Sequence, residues 1–222
     1  MGDRIIPEID GVLRRHMIRV PNVIEQASGI KIFGKLIKSL VFTTDVAIIR
    51  NCNANAVIAV YPFTPQPIIT HSIINCSDVP VFCGVGGGTT TGKRVRNLAE
   101  DAEFQGAMGV VLNAPTSNET IKMLKEKIDI PVVITVVSEN TDIGKRLESG
   151  VDIINVSGAD LTSSIVREIR KEFPYIPIIA TGGPTEASIV ETIKAGANAI
   201  TYTPPSSGLI FKGLMNKYRL EN

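Results

Sequence analysis

Ile130-Pro131-Val132-Val133-Ile134-Thr135-Val136-Val137, then Ser138 to Ser149, then Gly150-Val151-Asp152-Ile153-Ile154-Asn155-Val156: this stretch holds one complete repeating unit of the chain. An aliphatic residue and a proline open a β-branched run. Proline is tolerated at a strand's first residue, before the ladder requires an N–H. The run is continuously apolar rather than alternating, which reads as a parallel strand covered on both faces. A helical segment follows and stops at a glycine, the residue that adopts a left-handed cap at least cost. A second β-branched run then ends in polar residues.

Working outward, the same punctuation recurs. Val79-Pro80 and Ile176-Pro177 open two further runs, and Gly106-Ala107 and Gly196-Ala197 close two further helical segments. Strands are expected to begin near Leu40, Ala56, Val79, Gly109, Pro131, Asp152, Ile176 and Ala199. Helical apolar spacing lies between most of them, as in Glu119 to Ile128 and Leu161 to Phe173. Eight βα units predict an α/β fold, a single (β/α)8 TIM barrel over residues 39–222, built from a two-strand, two-helix module used about four times. Residues 1–38 read as a helical amino-terminal extension of the same domain. Val12 to Val20 and Asn22 to Ile32 are its two expected helices, broken at Pro21. This extension is expected to cover the amino-terminal end of the barrel. The alternative is a contact in a homo-oligomer, rimmed by Arg14, Arg15, His16 and Arg19.

Composition narrows the function. Of the 222 residues 44% are hydrophobic but only 5% aromatic, so the core must be built from aliphatic side chains. Lys and Arg number 23 against 22 Asp and Glu, a net charge of +1 that offers no footprint for nucleic acid or an anionic membrane. Cys52, Cys76 and Cys83 lack CxxC spacing, which indicates neither a disulfide framework nor a zinc site. No apolar run approaches the roughly 18 residues of a membrane span, and the opening residues are too polar for a signal peptide. The expectation is a cytoplasmic protein, with His16 and His71 as surface residues.

In a barrel of this kind, chemistry belongs to the loops after the strands. Those ends are rich in hydroxyls and amides and poor in charge, with no cluster of His or carboxylates to hold a metal. Asp45, after the first strand, is a candidate for proton transfer, or else a cap for the next helix. Glu139, after the fifth, is the second candidate. Cys83, ending the third strand, is the one cysteine placed for catalysis, and a buried, inert thiol is the favoured reading. The run Gly84-Val85-Gly86-Gly87-Gly88-Thr89-Thr90-Thr91-Gly92-Lys93-Arg94 follows the third strand. Gly86, Gly87, Gly88 and Thr89 are expected to receive an anionic group, with Lys93 as its electrostatic clamp. Residues 87–94 nearly match a nucleotide-binding P-loop, but Arg94 occupies the place of the hydroxyl that holds magnesium. Asn113, after the fourth strand, joins the candidate binding residues.

The last quarter of the chain carries a resemblance. Ile178-Ile179-Ala180-Thr181-Gly182-Gly183-Pro184-Thr185, a helix, and Ala195-Gly196-Ala197-Asn198-Ala199-Ile200-Thr201 resemble the closing quarter of the phosphate-binding barrels. These include thiamine-phosphate synthase, thiazole synthase, the ketodeoxyphosphogluconate aldolases and inosine-monophosphate dehydrogenase. The resemblance implies a phosphate held by backbone amides at Gly182 and Gly183, with Thr185 beginning the following helix. It implies a glycine after the eighth strand as well, where this chain has Pro204-Pro205-Ser206-Ser207. Proline donates no hydrogen bond, so Ser206 and Ser207 would supply that half. No strand here carries the lysine of the aldolases, and Ser157-Gly158-Ala159-Asp160 lacks the dehydrogenase's cysteine.

Together these readings suggest an enzyme of lyase or isomerase type. It would act on a small phosphorylated or carboxylated metabolite through Asp45, Lys93 and Glu139, with no metal or nucleotide cofactor indicated. The alternative is a barrel without catalysis that binds a metabolite as a regulatory module.

Overall fold

The computed structural model describes residues 17–221, together with Pro7, Ile9, Gly11 and Val12. Eight parallel strands close into a barrel: β1 (Ser39–Phe42), β2 (Ala56–Ala59), β3 (Val81–Gly86), β4 (Gly109–Leu112), β5 (Val132–Val136), β6 (Ile153–Val156), β7 (Ile178–Thr181) and β8 (Ala199–Tyr202), with β8 paired to β1. A helix follows each strand: α1 (Val46–Arg50), α2 (Pro67–Cys76), α3 (Lys93–Phe104), α4 (Asn118–Lys125), α5 (Ile143–Glu148), α6 (Thr162–Glu172), α7 (Glu186–Ala195) and α8 (Ser207–Glu221). The strands alternate inward and outward along their length. Leu40, Ile58, Phe82, Val111, Val133, Ile153, Ile179 and Ala199 fill the barrel. Their outward neighbours, among them Val41, Val57, Cys83, Val110, Ile134, Ile154, Ala180 and Ile200, pack beneath the helices.

The repeated module is visible as hydrogen bonds. Pro80, Pro131 and Pro177 donate nothing, but their carbonyls accept from Val57, Val110 and Ile154 at 2.8, 3.0 and 3.0 Å. Gly106, Gly150 and Gly196 hold φ values of 89°, 100° and 116°, the left-handed caps that their positions demand. The residue just before an even strand also reaches back to the preceding odd one. Asn55 Oδ1 accepts from the Lys38 and Ser39 amides, Asp152 Oδ2 from Val132, and Asn198 Oδ1 from Ile178. Met108 breaks this pattern in the second module.

The extension departs from the expected helices. Asn22–Gln26 is a 3-10 turn, and Ile30–Ile32 and Lys35–Ile37 form an antiparallel hairpin. Ile30, Ile32 and Ile37 bury themselves with the residues that fill the barrel, so the hairpin plugs its amino-terminal end. Of the first expected helix, residues 13–16 lie outside the described residues, Arg14, Arg15 and His16 with them. Ile18 makes an extended bridge to Cys52. At the other terminus α8 is exposed from Gly208 to Leu220, with Leu209, Phe211, Leu214 and Tyr218 on its surface. Among the described residues no helix is long and apolar enough to cross a membrane.

Candidate active site

Two adjoining concavities open over the carboxyl ends of β1 to β4, sharing Val60, Tyr61, Pro62 and Asn113. The larger, about 590 Å³, is walled by Phe42, Thr43, Thr44 and Asp45 after β1 and by Thr203, Pro204 and Ser206 after β8. The smaller, about 220 Å³, lies against the glycine loop at Gly84, Gly86, Gly88, Thr89 and Thr90. Asn113 sits between them. Arg146 of α5 fixes the loop that carries it, donating to the Ala114 and Thr116 carbonyls and to Asn118 Oδ1 at 2.9, 2.5 and 2.8 Å.

Asp45 both lines this cleft and caps α1. Its Oδ1 accepts from the Ala47 and Ile48 amides at 2.9 and 3.2 Å, and its Oδ2 accepts from the Ser207 hydroxyl. The Ser207 bond above all holds its carboxyl below the usual carboxylate range; burial opposes it, and the Ile48 and Ala47 amides add to the lowering. Ser206 and Ser207 thus join Asp45 rather than the Gly182–Gly183 corner expected from the resemblance.

The glycine loop is a packed turn. The Gly87 amide donates to Thr90 O at 3.0 Å, and Asn113 N donates to Gly86 O at 2.9 Å. Gly86 and Gly87 take φ of 143° and 101°. A Cβ on Gly86 would meet Val95 Cγ2 at 2.7 Å, which gives that glycine a packing reason. The Gly87 amide is therefore engaged within the loop rather than offered outward as in a P-loop. Lys93 and Arg94 begin α3 as exposed side chains beside the cleft wall and do not line it.

Glu139 falls elsewhere. It accepts from Ser164 Oγ at 2.6 Å and lines a shallow concavity with Asp142, Glu168 and Lys171. Asp45, Lys93 and Glu139 are therefore not assembled into one constellation, because the β5 loop turns its carboxylate outward toward α6.

Gly182 and Gly183 line a third concavity, about 590 Å³, with Ser157, Asp160, Thr181, Ser188 and Glu191. Thr185 caps α7 in a reciprocal pair: Ser188 N donates to Thr185 Oγ1 and Thr185 N to Ser188 Oγ, both at 3.1 Å. The Thr185 and Ser188 amides at this helix start are thus engaged, and of the two glycine amides expected to hold a phosphate, that of Gly182 donates to Thr201 O at 3.3 Å. The ionisable residues in this lining, Asp160 and Glu191, are acidic. A Cβ on Gly182 would lie 2.6 Å from Ile189 Cγ1, and one on Gly183, at φ 77°, 2.6 Å from Ser188 Oγ. Packing alone thus accounts for both glycines.

Cys83 points outward beneath the helices, and burial raises its thiol pKa to about 12. Iodoacetamide at pH 8 is expected to leave Cys83 unmodified in the native protein and to label it fully in denaturant, read by peptide mass spectrometry. Native labelling of Cys83 as fast as that of half-exposed Cys76 would refute its inert placement.

Sequence reading missed Phe42, Val60 and Thr203 as walls of the cleft. The period-2 alternation that puts Leu40 and Ile58 inside the barrel also puts Phe42 and Val60 at its mouth, and could have found them.

No family model matches the chain, and no curated protein matches it. Solved structures do share its fold. A 2,3-dimethylmalate lyase of the PEP mutase/isocitrate lyase superfamily aligns with a TM-score of 0.66 and 13% identity, over 87% of this chain and 80% of that one. A phosphoenolpyruvate phosphomutase from Streptomyces platensis subsp. rosaceus gives 0.60 and 14%, over 82% and 80%. The thiamine phosphate pyrophosphorylase of Pyrococcus furiosus gives 0.57 and 17%, over 74% and 84%. The last of these accords with the resemblance read in the closing quarter. At such identities the likeness is one of fold: this chain is a (β/α)8 barrel of the architecture that these proteins share.

Proposed function

We propose that the protein is a barrel enzyme of lyase or isomerase type, acting on a small carboxylated or phosphorylated metabolite held over β1 to β4. The observation that carries this reading is the meeting in one cleft of Thr43, Thr44 and Asp45, Tyr61, Asn113 and Ser206, drawn from four different strand ends. Carboxyl-end loops are where barrels of this architecture place their chemistry. The names of the structural neighbours, a lyase and a phosphomutase among them, are of the same class. In this reading Asn113 and the threonines orient the ligand and Asp45 exchanges a proton with it. Lys93, at the exit of the glycine loop, draws in the anionic end.

One observation favours a second reading, a regulatory barrel that binds without turnover. Both oxygens of Asp45 are engaged, by two backbone amides and by Ser207. Proton NMR of the purified protein with a panel of three- to six-carbon carboxylated and phosphorylated compounds separates the two. The enzyme reading expects consumption of a panel member. It expects that turnover to fall about 100-fold or more in Asp45→Asn, the loss typical of a general acid or base. Asparagine keeps the helix cap, so binding should change little. Binding without consumption would establish the regulatory reading, and full turnover by Asp45→Asn would remove Asp45 from the chemistry.

A further inference from the structure

The last inward positions of β5 to β8 are Thr135, Asn155, Thr181 and Thr201, two residues beyond Val133, Ile153, Ile179 and Ala199, which fill the barrel. A polar belt thus crowns an otherwise apolar interior, while the matching positions on β1 and β2 carry Phe42 and Val60. Part of its hydrogen-bonding capacity is engaged. Asn155 Nδ2 donates to Thr135 Oγ1 at 3.2 Å, and Thr181 Oγ1 donates to Val156 O at 3.1 Å. Two atoms are orphaned. Asn155 Oδ1 and Thr201 Oγ1 are buried without a partner among the described residues, on side chains of residues only 8% and 5% exposed. Such groups carry a desolvation cost that an apolar residue of the same shape would avoid. Thr201 pairs in register with Thr181, which lines the open concavity between β6 and β7.

We infer that this belt is a subsite for the uncharged, hydroxyl-bearing end of the ligand, a further specification that rests on the mouth-binding reading above. The chemistry of the orphans sets the class. With its amide nitrogen engaged on Thr135, Asn155 offers an acceptor and so requires a donor, and Thr201 can give or take one bond. A hydroxyl satisfies both, whereas a carboxylate or phosphate oxygen cannot donate to Asn155. None of the four belt residues is ionisable, so a charged group would be desolvated there without compensation. The ligand is therefore a hydroxyl-bearing compound, with its anionic end outside the belt.

Calorimetry with dihydroxyacetone phosphate, ribose 5-phosphate and fructose 6-phosphate tests this, with phosphoenolpyruvate and inorganic phosphate as hydroxyl-free comparisons. At least one sugar phosphate should bind, with its Kd raised tenfold or more in Thr201→Val and restored in Thr201→Ser. Thr201→Val should melt no lower than the parent protein, since valine keeps the shape and removes an unpaired hydroxyl. Binding of phosphoenolpyruvate alone, unchanged in Thr201→Val, would overturn this inference and leave the cleft reading standing. So would sugar-phosphate binding indifferent to Thr201→Val, or a lower melting temperature for that variant. Binding of none of the five would overturn both.

Discussion

Gly87→Ala is expected to destabilise the barrel by about 3 kcal/mol or more and to deform the mouth. Two costs combine. At φ 101° the backbone is in a region that residues with a Cβ rarely adopt, and holding one there costs on the order of 1–3 kcal/mol. The added methyl would also stand 2.0 Å from Thr116 Oγ1 and 2.8 Å from both the nitrogen and the oxygen of Asn113. Neither neighbour can yield cheaply. Thr116 Oγ1 donates to Asn113 O at 2.8 Å, and Asn113 N is tied to Gly86 O. The turn after β4 is clamped by Arg146 besides. Relief must come from displacing the β4 loop, and Asn113 moves with it. Urea unfolding should show the lost stability, and any ligand of the cleft should bind at least tenfold more weakly. Gly88→Ala is the control, since a Cβ there meets nothing within 4 Å. If Gly87→Ala unfolds at the same urea concentration as Gly88→Ala, the close packing of the two loops is disproved.

The barrel was legible because its signals are local. Each proline, left-handed glycine and β-branched run acts within a few residues of itself, and their order alone implies eight parallel strands. The hairpin was misread for a reason of the same kind. Ile24, Ala27 and Ile30 follow helical spacing, which masks the alternation of Ile30-Lys31-Ile32 and Lys35-Leu36-Ile37. The decisive residues were Phe33 and Gly34, at φ 45° and 82°, a two-residue turn of the type that closes hairpins. The site was less legible because convergence is not local. Asp45 and Ser207 are 162 positions apart and share a hydrogen bond, whereas Glu139 is chemically as apt as Asp45 yet faces α6. Glycines were ambiguous in another way. Gly87 and Gly182 suggested phosphate, but sequence does not reveal whether a missing side chain makes room for a ligand or for Thr116 and Ile189.

The same distinction between local and convergent signals explains Arg170, a residue of α6 that sequence reading did not single out. Its guanidinium gathers acceptors from two connections. Nη1 donates to the carbonyls of Phe173, Pro174 and Ile176 at 3.4, 2.8 and 2.9 Å, and Nη2 to Gly196 O and Asn198 Oδ1 at 2.7 and 2.9 Å. The first three belong to the loop leading into β7, the other two to the turn leading into β8. Asn198 in turn holds the first amide of β7, so one side chain fixes where both closing strands begin. Burial lowers the Arg170 pKa from its ordinary value, but the group remains protonated at any pH at which the protein would be studied. Removing it leaves carbonyls without partners in a half-buried corner that water reaches incompletely. Arg170→Ala is expected to cost about 3 kcal/mol, since hydrogen bonds to a charged donor are worth roughly 1.5–3 kcal/mol each and water recovers part of the loss. For a chain of this size that corresponds to a melting temperature lower by about 10 °C. Arg170→Lys should recover less than half of it, because a single ammonium cannot span both connections. Hydrogen exchange adds a local readout: the Ile178 amide should exchange faster in Arg170→Ala, while that of Val132, held by Asp152, should not. Equal protection of both amides, or a melting temperature within 2 °C of the parent, would show that the two closing strands do not depend on this clamp.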